Sequence, residues 1–233
     1  MSHFLQNHWN DIQPDIPEGY TTHDIVAEGF LFPWNHDNAN MDMIQKALKI
    51  LKPKIVIELG TFEGFGSEKI ATTMSEYSFI QSKFYTFDVG ERPFNSLGPT
   101  YGVPETEKTV DWQNIKGWES WGKVIEARKK RLGADYPNVK VEFIPGLTSD
   151  SLPATMPRIS KFDFCYQDTV HHPTQVIEEW KLFRDYTHEG SIVVFDDIIE
   201  GHDFIDWFAE NERDWIFKHT TIGHQQLWTE KIA

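Results

Sequence analysis

A doubly wound α/β fold, with a mostly parallel seven-stranded sheet and a C-terminal antiparallel hairpin, is predicted by three features of the sequence. Short β-branched runs alternate with segments of helical period between Asn38 and Asn211, the pattern of consecutive βαβ units. A strand, a glycine-rich turn and a helix follow one another without a gap from Ile55 to Ala71. Two final strand-like runs, Trp215 to His219 and Gln226 to Thr229, are joined by a turn containing Ile222-Gly223 and read as a hairpin. At 233 residues and 39% apolar content the chain suits one such domain, because a single core grows to ~250 residues before it splits.

Residues 1–36 are rich in His, Pro, Asp and aromatics without a period, which predicts an irregular N-terminal arm. It packs over the domain, residues 37–233, or against another copy in a homo-oligomer. Met41, Ile44, Ala47, Leu48 and Leu51 recur at helical spacing and Pro53 closes that helix. Lys54 to Leu59 is the first strand and Glu68 to Tyr77 the helix after it. Phe84 to Asp88 reads as a strand, Trp118 to Leu132 as a helix, Val139 to Ile144 as a strand and Phe162 to Tyr166 as another. Thr174 to Tyr186 is a helix, Ser191 to Phe195 a buried strand and Phe204 to Asn211 a helix. Gly90 to Gly117, with four Gly and three Pro, exceeds an ordinary connection of ~2–6 residues. It is expected to be an insertion loop, serving either as a lid at the carboxyl edge of the sheet or as a surface elaboration.

The formal net charge of -14 gives an acidic surface that repels phosphate backbones, so nucleic acid is not expected as a partner. Arg128-Lys129-Lys130-Arg131 is the one basic run, and its place in a predicted helix suggests a solvated face. The N-terminus has no basic region followed by an apolar stretch, and apolar runs such as Ile192 to Phe195 fall far short of the ~20 residues that span a bilayer. A cytoplasmic location without membrane contact is the expectation. Cys165, the single cysteine, lies in an apolar run and reads as a buried thiol.

The first chemical signal is Val56-Ile57-Glu58-Leu59-Gly60-Thr61-Phe62-Glu63-Gly64-Phe65-Gly66-Ser67. Glycines in such a turn let the backbone approach a ligand, and the following helix opens with unpaired N–H groups. Phe62 stands where a dinucleotide binder carries its second glycine, which disfavours a nicotinamide cofactor. Asp88 closes the second strand beside this turn, where a carboxylate can accept hydrogen bonds from both vicinal hydroxyls of a ribose.

Glu58-Leu59-Gly60-Thr61-Phe62-Glu63-Gly64 resembles motif I of class I S-adenosylmethionine-dependent methyltransferases, in the E-[LI]-G-x-[YF]-x-G variant of the metal-dependent O-methyltransferases. The resemblance implies a Rossmann-like fold and S-adenosylmethionine as cofactor. Glu58, Gly60, Thr61, Phe62, Gly64 and Ser67 would then hold its methionine end and Asp88 its ribose. Thr148, within Gly146 to Asp150 after the third strand, would contact the adenine, although a simple turn explains that segment equally well.

The second signal is acidic. The fourth strand ends in Gln167-Asp168-Thr169-Val170-His171-His172 and the fifth in Asp196-Asp197. On neighbouring strands these ends lie ~5 Å apart, and hard oxygen ligands converging there suit Mg²⁺, Mn²⁺ or Ca²⁺. Such an ion could hold an acceptor hydroxyl while a nearby base removes its proton. From the residues alone, the alternative is that Asp196 caps the next turn and both histidines are solvated side chains.

Asp168-Thr169-Val170-His171 resembles the D-x-x-H of macrolide-sugar and cephalosporin-type O-methyltransferases. Glu189 to Asp197 resembles their G-G-x-[IV]-[VI]-x-D-D segment. Val170 replaces a second acid, Thr169 a glycine, and Glu189 the first glycine of the later motif. The resemblance implies metal binding by Asp168, Asp196 and Asp197, cofactor contact by Asp168, and catalysis by Asp168 with His171 as base. His172 is the adjacent alternative base.

The expected activity is therefore S-adenosylmethionine-dependent O-methylation of a small hydroxylated acceptor, a sugar or secondary metabolite, assisted by a divalent metal. Two other functions share the same pattern: an NAD(P)-dependent oxidoreductase on a similar sheet, and a catalytically silent cofactor-binding or assembly module.

Overall fold

A computed structural model describes residues 3–15, 36–78, 81–89, 121–169, 171–220 and 225–233. In chain order the elements are α1 (Phe4–Asn7), α2 (His36–Leu51), β1 (Ile55–Leu59), α3 (Phe65–Tyr77), β2 (Ser82–Asp88), α4 (Trp121–Leu132) and β3 (Val139–Pro145). They continue with α5 (Thr148–Ile159), β4 (Phe164–Gln167), α6 (Pro173–Phe183), β5 (Ile192–Phe195), α7 (Asp203–Asn211), β6 (Trp215–His219) and β7 (Leu227–Lys231). The seven strands form one sheet in the order β3-β2-β1-β4-β5-β7-β6. β1 to β5 are parallel, and β7 runs antiparallel to both β5 and β6, as the hairpin pattern predicts.

Parallel strands joined by crossover helices bury both faces, and the alternation along β1 shows it. Val56 packs with α2 and α3 through Met43, Ile44, Ile70 and Met74, whereas Ile57 packs with Met156, Trp180 and Phe208 from α5, α6 and α7. Around Trp180, the rings of Phe183, Phe195, Phe208 and Trp215 meet with centroids 4.9 to 5.7 Å apart, within the range favoured for edge-on aromatic pairs. Much of the aromatic content is thus core rather than pocket lining.

Three elements depart from the sequence expectation. Residues 3–15 of the arm are not wholly irregular: Leu5 and Ile12 are fully buried, and the backbone N–H groups of Phe4 and Leu5 both donate to the buried Glu230 carboxylate at 2.8 Å. α5 is a helix where the sequence reading assigned no element beyond the Gly146 to Asp150 segment. Pro153 and Pro157 interrupt its N–H ladder, but Leu152, Met156 and Ile159 share one buried face, and that burial outweighs the lost hydrogen bonds. Arg128 of α4 is 3% exposed, so the solvated-face reading is wrong for it. The remainder of the arm (16–35), the insertion (90–117) and the hairpin turn (221–224) lie outside the described residues. Among the described residues no helix is long and apolar enough to cross a membrane.

Candidate active site

Strand order reverses between β1 and β4, so the chains leaving their carboxyl ends diverge to opposite faces and open a crevice there. On one side is the turn after β1. Gly60 N and Thr61 N donate to the Phe87 carbonyl of β2 at 2.8 and 3.2 Å, and Gly64 N returns to Thr61 O at 2.7 Å. Gly60 sits at φ +96°, and a Cβ there would lie 1.7 Å from the Asp168 carbonyl oxygen. The exits of β1 and β4 approach so closely that only glycine fits. Phe62 adopts a left-handed φ of 47°, holding its N–H on the Asp88 carboxylate.

Glu58 lies beneath this turn, 1% exposed, with Ser67 Oγ and Thr86 Oγ1 (2.5 Å) donating to Oε2. Burial pushes its carboxyl up to about 8, against the two hydroxyl hydrogen bonds and with help from the charges of Asp168 and Asp88. Asp88 is raised by burial too, and the Arg128 guanidinium opposes that rise.

Arg128 reaches into the crevice from α4. Its Nε donates to Phe62 O at 2.7 Å, its Nη1 to Val89 O at 3.0 Å, and its guanidinium lies 4.8 Å from the Phe143 ring centroid. Arg131 donates to Glu63 O at 3.0 Å and pairs with Glu63 and Glu68. Two arginines of the basic run therefore hold the cofactor-type turn in shape. The signal for Arg128 was present in the sequence, because it stands four residues after the buried Val124 and shares its helix face. Thr148, the first residue of α5, donates its hydroxyl to Glu179 Oε1 at 2.6 Å.

The other side of the crevice holds the acids. β4 and β5 are paired through Gln167 and Phe195, which places Asp168 and Asp196 next to each other at the sheet edge. His171 lies between carboxylates: Nδ1 is 2.8 Å from Asp197 Oδ2, and Nε2 is 3.3 Å from Asp168 Oδ1. Nε2 is buried and makes no hydrogen bond of good geometry. Burial pulls the ring's pKa down, but hydrogen bonding and charge from Asp168 and Asp197 outweigh it and carry it to about 10. At neutral pH the ring is an imidazolium. His172 is the residue before α6 and lies outside this cluster of contacts.

Asp196 is 5% exposed, and its Oδ1 accepts from Asn40 Nδ2 of α2 at 2.9 Å and Gln226 Nε2 at 2.7 Å. Gln226 Oε1 in turn accepts from Trp228 Nε1 at 3.0 Å. Burial raises the Asp196 pKa, and the charges of Asp168 and Asp197 raise it further. The carboxylates named as metal ligands thus lie together, but among their contacts are His171, Asn40, Gln226 and the Tyr166 hydroxyl, which donates to Asp168 Oδ2 at 3.2 Å. Among the described residues no group of three or more His, Cys, Asp and Glu side chains is arranged to hold a metal ion. As arranged, this donor set does not fit a divalent cation, whose oxygens must converge on one point at ~2.0–2.6 Å.

The family model for the methyltransferase domain matches residues 57–198, from β1 through both acidic turns. No curated protein matches the sequence. Among solved structures, a methyltransferase of Podospora anserina with S-adenosylhomocysteine bound is similar at 11% identity, over 100% of this chain and 89% of that one, with a TM-score of 0.56. The O-methyltransferase of Bacillus cereus in complex with S-adenosylhomocysteine is similar at 15% identity over 98% of both chains, TM-score 0.53. An O-methyltransferase of Streptomyces achromogenes involved in tomaymycin synthesis, in complex with S-adenosylmethionine, is similar at 13% identity over 99% and 97%, TM-score 0.55. At these identities the structural likeness is one of fold, whereas the family match covers more than half of the chain. Sheet order, turn geometry and family match together show that the chain belongs to the methyltransferase-domain family and has the class I S-adenosylmethionine-dependent methyltransferase fold.

Proposed function

We propose that this protein transfers a methyl group from S-adenosylmethionine to a hydroxyl of a small molecule. The observation that carries the reading is the convergence, at the ends of adjacent strands, of the Gly60 turn, the Asp88 carboxylate and the Asp168–His171–Asp197 cluster. Ligands named for the fold neighbours, S-adenosylmethionine in one and S-adenosylhomocysteine in two, support the cofactor. The Streptomyces neighbour's part in tomaymycin synthesis supports a small acceptor of the secondary-metabolite kind.

When bound, S-adenosylmethionine supplies an electrophilic methyl on a sulfonium. Asp88, its position set by Phe62 N–H and Arg128, accepts hydrogen bonds from the ribose hydroxyls. Glu58 with Ser67 and Thr86, Gly60, Thr61 and Gly64 shape the floor and rim for the methionine end, and Thr148 stands at the opposite rim. His171 loses part of its hold on its proton when a positive charge sits beside Asp168. In neutral form, with Asp168 drawn aside so that the buried Nε2 is uncovered, it would take the acceptor's proton there, while Asp197 holds Nδ1 and stabilises the imidazolium that results.

No step is assigned to the divalent cation that the resemblance implies. It would require Asp168 and Asp197 to release His171. The test is S-adenosylhomocysteine formation over a panel of hydroxylated acceptors, with and without chelator. Turnover that persists in chelator and is lost in Asp168→Ala is expected, and restoration by added Mg²⁺ after chelation would reinstate the metal. Thermal protection by NAD(H) but not by S-adenosylmethionine would overturn the whole reading.

A further inference from the structure

α6 turns Val176, Glu179, Trp180 and Phe183 inward, and Glu179 is the one charged residue on that face. It is 3% exposed, in a place where an apolar side chain would serve packing better. Its carboxylate accepts four hydrogen bonds, all from neutral donors. Thr148 Oγ1 (2.6 Å) and Gln175 Nε2 (3.2 Å) reach Oε1, and Gln167 Nε2 (2.9 Å) and Thr169 Oγ1 (2.6 Å) reach Oε2. Gln175 belongs to the same helix. The other three come from two segments at the carboxyl edge of the sheet: Thr148 opens α5 after β3, and Gln167 and Thr169 flank Asp168 at the end of β4.

Gln167, Thr169 and Glu179 form a closed triangle, because Gln167 Nε2 also donates to Thr169 Oγ1 at 2.7 Å. A carboxylate only accepts, so it fixes the direction of every bond in the triangle. Asp168 is the residue between the two gripped positions, and its own N–H is held by Leu59 O at 2.8 Å. Its carboxylate faces His171 3.3 Å away. A shift of either neighbour would move Asp168 relative to the ring.

Resting on the cofactor reading above, we propose that Glu179 is a positioning residue. It sets Asp168 through Gln167 and Thr169, and sets the α5 rim of the crevice through Thr148, without touching cofactor or acceptor. Glu179→Gln leaves one acceptor oxygen where four donors converge on two. Gln167→Glu sets two carboxylates face to face. The double variant reverses every bond of the triangle, since the introduced amide donates to the introduced carboxylate and Thr169 rotates its hydroxyl.

The experiment is calorimetric titration of the full chain with S-adenosylhomocysteine, alongside melting temperatures of the unliganded proteins. Each single variant is expected to weaken binding about tenfold or more and the double to return within about threefold of wild type, a coupling of the size contacting buried groups show. Val176→Ala, a cavity on the same helix, is expected to lower the melting temperature while leaving affinity within about twofold. Should a single variant not fold, Thr169→Val removes two edges of the triangle, leaving the Gln167–Glu179 bond, and is expected to weaken binding. Wild-type affinity in Glu179→Gln, a double no better than its singles, or an equal loss in Val176→Ala would overturn the proposal. Wild-type protein that fails to bind S-adenosylhomocysteine would overturn the cofactor reading itself.

Discussion

Glu58→Gln should raise the stability of the unliganded protein at alkaline pH and leave it nearly unchanged in acid. The Glu58 carboxyl titrates at about 8 in the folded protein, against 4.5 when exposed, because burial beneath the glycine turn penalises its charge. Its folded pKa is raised, so the folded state keeps a proton that the unfolded state releases. The stability this confers is full below 4.5 and is lost as the pH rises through about 8. At 1.36 kcal/mol per pKa unit, the loss between pH 4.5 and 9 amounts to roughly 5 kcal/mol, an upper figure because the Ser67 and Thr86 hydroxyls can reorient. Against a total of ~5–15 kcal/mol for domains of this kind, a difference of that size is readily measured. Glutamine matches the protonated carboxyl in shape and carries no charge at any pH. Urea denaturation of both proteins at pH 5 and pH 9 measures the effect, and the groups common to both cancel in the difference. A stability difference that is the same at the two pH values would refute the reasoning.

Gly60→Ala should cost about 3 kcal/mol or more, since the new methyl meets a backbone carbonyl at 1.7 Å and the residue must keep φ +96°. Chemical denaturation will show it, and a variant of wild-type stability would mean that the β1 and β4 exits are not so close. Arg128→Met keeps the aliphatic stem of the side chain but removes two hydrogen bonds, to the Phe62 and Val89 carbonyls, and the positive charge beside Asp88. S-adenosylhomocysteine affinity measured by calorimetry should fall by about tenfold or more, the size of a lost charge-assisted hydrogen bond. In methyl-transfer assays, kcat/KM should rise with pH along a limb approaching 10, as His171 gives up its proton. Asp197→Asn should move that limb to lower pH by removing one carboxylate that holds the imidazolium, and an unmoved limb would assign the titration to another group.

Much of the fold was legible because its signals are local. A β-branched run closed by Gly60 and reopened as α3 marks the cofactor-type turn within seventeen residues, and Ile222-Gly223 marks the terminal hairpin. α5 was not legible, since Pro153 and Pro157 break the helical rule while the burial that overrides it is a property of the packed domain. The site was readable where it lies at strand ends, at Gly60, Asp88, Asp168 and Asp197. It was not readable where distant side chains meet. Asn40 and Gln226 reach Asp196 from 156 and 30 residues away, and no periodicity announces either. Glu179 shares the helical spacing of Val176 and Phe183, but three of the four donors that converge on it come from other elements of the packed domain, and no local pattern announces them.

The charges in the crevice narrow the ligand more firmly than the glycine spacing did. Glu58, Asp88 and Asp196 are each raised by burial, and other carboxylates add to the rise in all three. Arg128 and His171 supply the positive charge that opposes them, the first beside Asp88 and the second between Asp168 and Asp197. A crevice of this kind gains from a ligand that brings positive charge to the acids after β4 and β5 and hydroxyls to Asp88. It loses with a dinucleotide, whose diphosphate would have to lie against a turn flanked by the Asp88 carboxylate. A sulfonium nucleoside meets both demands. The electrostatics therefore favour the methyl donor over the nicotinamide alternative on grounds independent of Phe62 standing where a glycine would be needed.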